Sequence, residues 1–228
     1  MIKSSIFICF TGIDGSGKSS QAQLLQKRLN AYGFNTSYTW SRWEPYLLKT
    51  FIKIFKRSHT QKKETLSYHD TIRSRKRRIL SRPTVLWLWL NVSLFEYYWQ
   101  VRRRVLRHMV GNNIVICDRY LFDFLVDQAV NMGKMTDGIE HILRLSLTRL
   151  FPLPDLLFIL DVEAERGRTR KQDGTNIEYL IERRELYHYF YNMPNATIIN
   201  ANNPFDMVAC QIIKETIKYL RGCGVIND

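Results

Sequence analysis

Cysteine is scarce in this 228-residue chain. The four present, Cys9, Cys117, Cys210 and Cys223, form no CxxC pair and have no metal-ligand spacing, which argues against a zinc module. They fit buried, reduced thiols in a cytoplasm. No apolar run reaches the roughly 20 residues a membrane span needs; the longest candidate, Val85 to Trp99, is broken by Asn91, Ser93 and Glu96 and reads as a buried helix. Met1 to Phe10 holds one lysine and a short apolar run without a small-residue cleavage site, so no signal peptide is read. Internal repeats and low-complexity segments are absent. Acidic side chains are outnumbered, 21 against 34 Lys and Arg, for a net charge of +13. Such a surplus suits nucleic acid, an anionic membrane surface or a cleft built for several phosphates, and sign alone does not choose among them.

What is present is the composition of a globular protein: 45% hydrophobic residues, with 12 Phe, 12 Tyr and 5 Trp. The length suits one large α/β domain with a buried core. Apolar, β-branched or aromatic runs at Ile6 to Thr11, Thr36 to Trp40, Ile114 to Cys117, Leu156 to Asp161 and Thr197 to Asn200 alternate with helix-like sequence. Unbroken strands such as IVIC and LLFIL suit a parallel sheet covered on both faces. The expected fold is therefore an α/β three-layer sandwich of the P-loop type, a five-stranded parallel sheet flanked by helices. Helices are expected at Lys18 to Tyr32, Thr84 to Val110, Phe122 to Met132, Gly138 to Leu150, Glu163 to Lys171, Ile177 to Asn192 and Asp206 to Leu220. The basic stretch at about 49–82 reads as an excursion from a single domain spanning 1–228.

Between the first strand and helix lies Gly12-Ile13-Asp14-Gly15-Ser16-Gly17-Lys18-Ser19, which matches the Walker A pattern. Its glycines let backbone N–H groups turn inward around phosphate oxygens, and the helix N-terminus adds positive potential. Lys18 is placed to bridge the β- and γ-phosphates of ATP, and Ser19 to ligate Mg²⁺. With Ser16 and Ser20, these residues make the candidate cofactor-binding set. A second element, Asp118-Arg119-Tyr120, ends the third strand at the carboxyl edge, where ligands of such sheets bind. Asp118 is a candidate Mg²⁺ residue, and Arg119 a candidate holder of an acceptor phosphate.

Through FTGIDGSGKSSQAQLL (Phe10 to Leu25), ICDRY (Ile116 to Tyr120) and PDLLFILDVEAERGRTR (Pro154 to Arg170), the chain resembles the thymidylate kinase family. The resemblance implies phosphorylation of dTMP to dTDP with ATP and Mg²⁺, a small nucleotide acceptor, and a homodimer packed through helices such as the Trp87 to Trp99 stretch. It places the acceptor sugar on Asp14, for which capping of the loop's own N–H groups is the alternative. It places the acceptor phosphate on Arg42 and Arg119. Where some family members carry an arginine in the loop, this chain has Gly15, so the basic residues must come from a lid at about 166–176, with Arg168 and Arg170 as the catalytic pair and solvated helix surface as the alternative.

Departures from the family concentrate in the acceptor pocket. Phe95 and Tyr98 stand in the helix where the family offers a stacking aromatic and a thymine-reading arginine; they are candidate substrate contacts or ordinary core aromatics. Asp123 and Asp127 bring two carboxylates into the segment after Asp-Arg-Tyr. They either recognise the substrate or pair with the protein's own arginines. The altered pocket keeps other acceptors open: a deoxynucleoside, another nucleotide or a metabolite. A GTPase switch is disfavoured, because no Asn-Lys-x-Asp and no later Asp-x-x-Gly follows the loop. A nucleic-acid-binding ATPase rests only on charge runs such as Arg73 to Arg78 and Arg102 to Arg104.

Overall fold

The computed structural model describes residues 5–46, 48–49, 77–133, 136–172 and 174–225. Most of the basic stretch at 49–82 therefore lies outside the described residues, as does Asp173 of the expected lid. The strands are β1 (Ser5–Thr11), β2 (Thr36–Trp40), β3 (Asn113–Asp118), β4 (Leu156–Asp161) and β5 (Ala196–Asn200). The helices are α1 (Lys18–Ala31), α2 (Pro83–Arg104), α3 (Leu121–Met132), α4 (Thr136–Leu143), α5 (Ala164–Lys171), α6 (Ile177–His188) and α7 (Phe205–Gly222). All strands are parallel and ordered β2-β3-β1-β4-β5, so every carboxyl end faces the same edge. This is the α/β fold of P-loop kinases.

Centrality explains strand composition. Every residue of β1 and β3 is buried, which only an apolar run such as Ile6-Phe7-Ile8-Cys9-Phe10 tolerates without stranded polar groups. The edge strands β2 and β5 each bury one residue fully and accordingly carry Thr, Ser and Asn. Helix α1 buries Lys18, Gln21, Ala22, Leu25 and Leu29, the spacing of one helical face. It packs on β2, β3 and α7, while α3 packs against α4 and α6. Because α3 lies between neighbours on several sides, ten of its twelve residues are buried.

The expected helix over 138–150 is interrupted after Leu143 and resumes as a 3-10 turn at Ser146–Leu150. Thr148 accounts for the break: its hydroxyl donates to the carbonyls of Leu145 at 2.6 Å and Leu143 at 3.1 Å, competing with the backbone ladder. The long helix also stops early, at Arg104, before a 3-10 turn at Leu106–His108. Cys9 and Cys117 are buried register partners on adjacent strands, but Cys210 and Cys223 are exposed, correcting the expectation of four buried thiols. Both exposed thiols lie on or just past α7, whose buried positions are taken by Val208, Ala209, Ile212, Thr216 and Leu220.

A glycine contact holds the first loop against α5. A Cβ on Gly15 would lie 2.0 Å from the Gly167 carbonyl oxygen, and a Cβ on Gly167 would lie 2.8 Å from that of Asp14. Gly167→Ala should therefore push α5 off the loop and cost about 1–3 kcal/mol of stability. Denaturant unfolding measures this, and a loss below about 0.5 kcal/mol would show that the two backbones are not in contact.

Candidate active site

Thr11 ends β1, and the chain turns through Gly12, Gly15 and Gly17, all at positive φ (140°, 81° and 88°), before Lys18 opens α1. That left-handed backbone is accessible to glycine at no steric cost. Inside the turn, Lys18 Nζ donates to the carbonyls of Gly12 at 2.8 Å and Ile13 at 2.6 Å, and to Ser16 Oγ at 3.3 Å. Burial, then the nearby Arg119 guanidinium, push the Lys18 ammonium down to about 7. Ser20 is exposed on the first turn of α1.

The Ser19 hydroxyl donates to Asp118 Oδ2, the same oxygen that accepts from Tyr38 Oη at 3.1 Å. Asp118 is fully buried, and its Oδ1 has no hydrogen-bond partner among the described residues. A hydroxyl beside a carboxylate with a spare buried oxygen is a donor set suited to Mg²⁺, which keeps several ligands from water and phosphate rather than from protein. Among the described residues, no group of three or more His, Cys, Asp or Glu is placed to hold a metal ion.

Beside this pair lies a compact ion cluster. Arg119, at φ 70°, directs its guanidinium between two carboxylates: one Nη bonds Asp14, and the other reaches Asp123 Oδ1 at 3.1 Å. Asp14 also pairs with Lys171 Nζ at 3.2 Å. Burial would raise the Asp14 carboxyl, but Arg119, Lys18 and Arg183 outweigh it and hold it well below the usual carboxylate range. Asp123 is 1% exposed and accepts from Thr11 Oγ1 at 2.8 Å, the Tyr120 N–H at 3.2 Å and Tyr187 Oη at 2.9 Å besides Arg119. All its bonding directions are used inside the protein. Of the two readings left open for Asp123, the structure shows the pairing one.

Across the edge, the 41–46 segment is fastened to α2. Tyr97 Oη donates to the Ser41 carbonyl at 2.7 Å, Gln100 exchanges bonds with the Glu44 backbone at 2.6 and 3.1 Å, and Arg104 pairs with Glu44 at 2.6 Å. Those three side chains share one helix face. The segment forms one wall of a cleft of about 430 Å³ lined by Trp40, Arg42, Trp43, Glu44, Pro45, Asp127, Asn131 and Tyr179. Within it, Arg42 Nη2 lies 3.5 Å from Asp127 Oδ2, so the second carboxylate is also paired. Neither expected aromatic lines the cleft. Phe95 is 57% exposed on the outer face of α2, between the buried Leu94 and Glu96, and Tyr98 packs edge-on against Phe151 at 5.7 Å. The structure does not bring them to the other candidates. Trp43 is there instead, packed edge-on against Trp89 and Phe124.

Among the lid candidates, Arg168 lines a second cleft of about 430 Å³ with Glu165, Thr169, Gln172, Gly174 and Ile177. Arg170 instead donates to the Ala201 carbonyl at 2.9 Å, and Arg166 to that of Asn202 at 2.9 Å. The two arginines thus tie α5 to the loop after β5, and Arg170 is not gathered with Arg168.

Sequence reading missed Arg183 and Tyr187. Arg183 is fully buried, pairs with Asp127 Oδ1, and donates to Tyr179 Oη at 3.0 Å and Tyr187 Oη at 3.1 Å. A signal existed. The buried residues of α6 are Leu180, Arg183, Leu186 and Tyr187, so a charge occupies a core position of an amphipathic helix, which requires a buried partner.

No protein-family model matches the chain. Probable thymidylate kinases from Staphylothermus marinus and Methanococcus aeolicus are each 26% identical to it, the first over 94% of this chain and 96% of its own length, the second over 96% and 98%. A thymidylate kinase from Chlamydia caviae is 26% identical over 80% of this chain and 78% of its own length. The chain is similar to thymidylate kinases over most of its length. In this thymidylate kinase relative, the glycine loop, the Ser19–Asp118 pair and the Asp14–Arg119 pair stand together at the carboxyl edge of the sheet.

Two outcomes follow from the cluster. Asp123→Ala removes the acceptor of four donors, from Thr11, Arg119, Tyr120 and Tyr187, and should cost about 3–5 kcal/mol, read by denaturant unfolding; a loss under 1 kcal/mol would mean the hub is not closed. For Lys18, an unfolded lysine titrates at about 10.4, so between pH 7 and that value the unfolded chain binds more protons and this group's contribution to stability rises with pH. Bound phosphates restore the charge, so ADP binding at pH 8 should take up a proton. Calorimetry in buffers of different ionisation enthalpy detects it, and Lys18→Arg should abolish the uptake.

Proposed function

We propose that this protein is a nucleoside monophosphate kinase that transfers the γ-phosphate of ATP to dTMP, giving dTDP and ADP. The observation that carries this reading is that a phosphate-cradling loop, an oxygen donor pair for Mg²⁺ and a separate arginine, Arg42, lining a cleft with Asp127 all follow the carboxyl ends of the sheet's strands. The first two serve a nucleoside triphosphate. The third serves a second anion, which an ATPase without an acceptor does not require. The names of the relatives point to dTMP as that acceptor.

The roles follow from placement. The loop N–H groups and Lys18 hold the triphosphate, Lys18 exchanging the Gly12 and Ile13 carbonyls for phosphate oxygens. Ser19 and Asp118 would hold Mg²⁺, which when bound offsets phosphate charge. Arg42 binds the acceptor phosphate from the cleft, and Arg119 joins it by exchanging the Asp14 carboxylate for a phosphate oxygen, which frees Asp14 toward the sugar. An oxygen of that phosphate attacks the γ-phosphorus as the bond to the β-phosphate oxygen breaks, and ADP leaves. The attacking oxygen is already anionic, so no general base and no protein nucleophile are needed. Arg168 supplies charge from a lid at about 166–176. The exposed Trp87, Leu88, Phe95 and Trp99 of α2 are assigned to a homodimer contact. The protein is read as a single cytoplasmic domain; among the described residues no helix is long and apolar enough to cross a membrane.

The test is ATP consumption with Mg²⁺ across nucleoside monophosphates, nucleosides and no acceptor, with products identified by mass. dTMP should yield dTDP, and Lys18→Ala and Arg119→Ala should each reduce turnover about a hundred- to a thousandfold without unfolding the protein. Turnover only with a different acceptor would contradict the dTMP assignment, and hydrolysis indifferent to any acceptor would contradict the kinase.

A further inference from the structure

Asp127 stands between two guanidinium groups that differ in every respect that decides their strength. Arg183 approaches Oδ1 from beneath with a side chain that is 0% exposed, and it is further held by Tyr179 and Tyr187. Arg42 approaches Oδ2 from the cleft at 3.5 Å with a side chain that is 37% exposed, and no hydrogen bond of its guanidinium is found among the described residues. The inner guanidinium is withdrawn from water and fixed by two tyrosines; the outer one is long-range and screened by water. Resting on the kinase reading above, we propose that Arg183 is a positioning residue for acceptor binding: by neutralising Asp127 from within, it keeps Arg42 available to exchange that carboxylate for the acceptor's phosphate.

The two oxygens of a carboxylate match the two-pronged fork of one arginine. With Arg183 occupying Oδ1, Arg42 reaches only Oδ2. Without Arg183, both oxygens and the whole negative charge face Arg42, which then closes on them in a bidentate pair. A cleft meant for a dianionic phosphate would contain a neutralised arginine and, before that pair formed, an uncompensated carboxylate. Either state opposes the acceptor. The same arginine steadies the rest of the site, because its other Nη bonds Tyr187, whose hydroxyl donates to the Asp123 oxygen that also receives Arg119. One buried charge thus sets the partners of both arginines assigned to the acceptor phosphate, and touches neither directly.

The experiment is steady-state kinetics with each substrate varied in turn, on wild type, Arg183→Met, Arg183→Lys and the double variant Arg183→Met/Asp127→Asn. Arg183→Met should raise the KM for dTMP by about ten- to a hundredfold, with kcat and the KM for ATP within about threefold of wild type, since only the acceptor end is affected. The double variant removes the charge that captures Arg42, and should recover most of the loss. Arg183→Lys, which keeps the charge, should retain a low acceptor KM and decides the matter if Arg183→Met does not fold. An unchanged acceptor KM in folded Arg183→Met, equal losses toward ATP and acceptor, a double variant no better than the single one, or an Arg183→Lys protein as impaired as Arg183→Met would each overturn the proposal. Failure of the dTMP reading is separate. It would show as a wild type that turns over a different monophosphate, and the same comparison with that acceptor would still decide the role of Arg183.

Discussion

The buried Arg119 guanidinium, held between Asp14 and Asp123, is the constraint on which the site depends. Asp14 belongs to the glycine loop, Arg119 follows β3, Asp123 opens α3, and Tyr187 on Asp123 comes from α6. Four parts of the chain therefore meet through one ion cluster. Charges removed from water are costly unless paired and fully hydrogen-bonded, and here each carboxylate is answered: Asp14 by Arg119 and Lys171, Asp123 by four donors. Such a cluster contributes little net stability compared with an apolar core of the same volume. What it supplies is a fixed position for the Arg119 guanidinium at the sheet edge, shared between the glycine loop and α3.

The remainder of the architecture brings these parts within reach of one another. A parallel sheet ordered β2-β3-β1-β4-β5 sets the ends of β1 and β3 side by side, so the loop after one strand faces Asp118 and Arg119 after the other. The Gly15–Gly167 contact brings α5 against the loop, and a two-point Arg184–Asp161 pair at 2.6 and 2.8 Å fastens α6 to the end of β4. Arginine bonding of this kind is geometrically specific. It fixes the pitch of α6 and hence the depth at which Arg183 and Tyr187 enter the interior.

The fold was largely legible in sequence because its signals are local. Five apolar runs became five parallel strands, each displaced by no more than one residue at either end. The glycine loop carries its meaning in its own eight residues. Pairings across the fold were less accessible. Asp123 could be suspected but not assigned, since its partners Thr11, Arg119 and Tyr187 come from three separate segments. Arg183 was overlooked among neighbouring arginines because burial, not identity, sets it apart. Phe95 was misjudged for a related reason: helical spacing identifies faces of α2, but does not say which of them meets the protein interior. Arg170 resembled Arg168 in sequence, and only the loop after β5 distinguishes them.

The central claim is that two phosphate subsites lie at this edge, close enough for direct transfer. A dinucleoside pentaphosphate with adenosine at one end and thymidine at the other tests it most directly, by calorimetry against ADP and dTMP. If the subsites are collinear, the compound binds one to one, at least about a hundredfold more tightly than either nucleotide, because its second end binds at a high effective concentration. Affinity no greater than that of ADP alone would mean that Arg42 and Arg119 do not face the phosphates held by Lys18, and the account of transfer would be wrong.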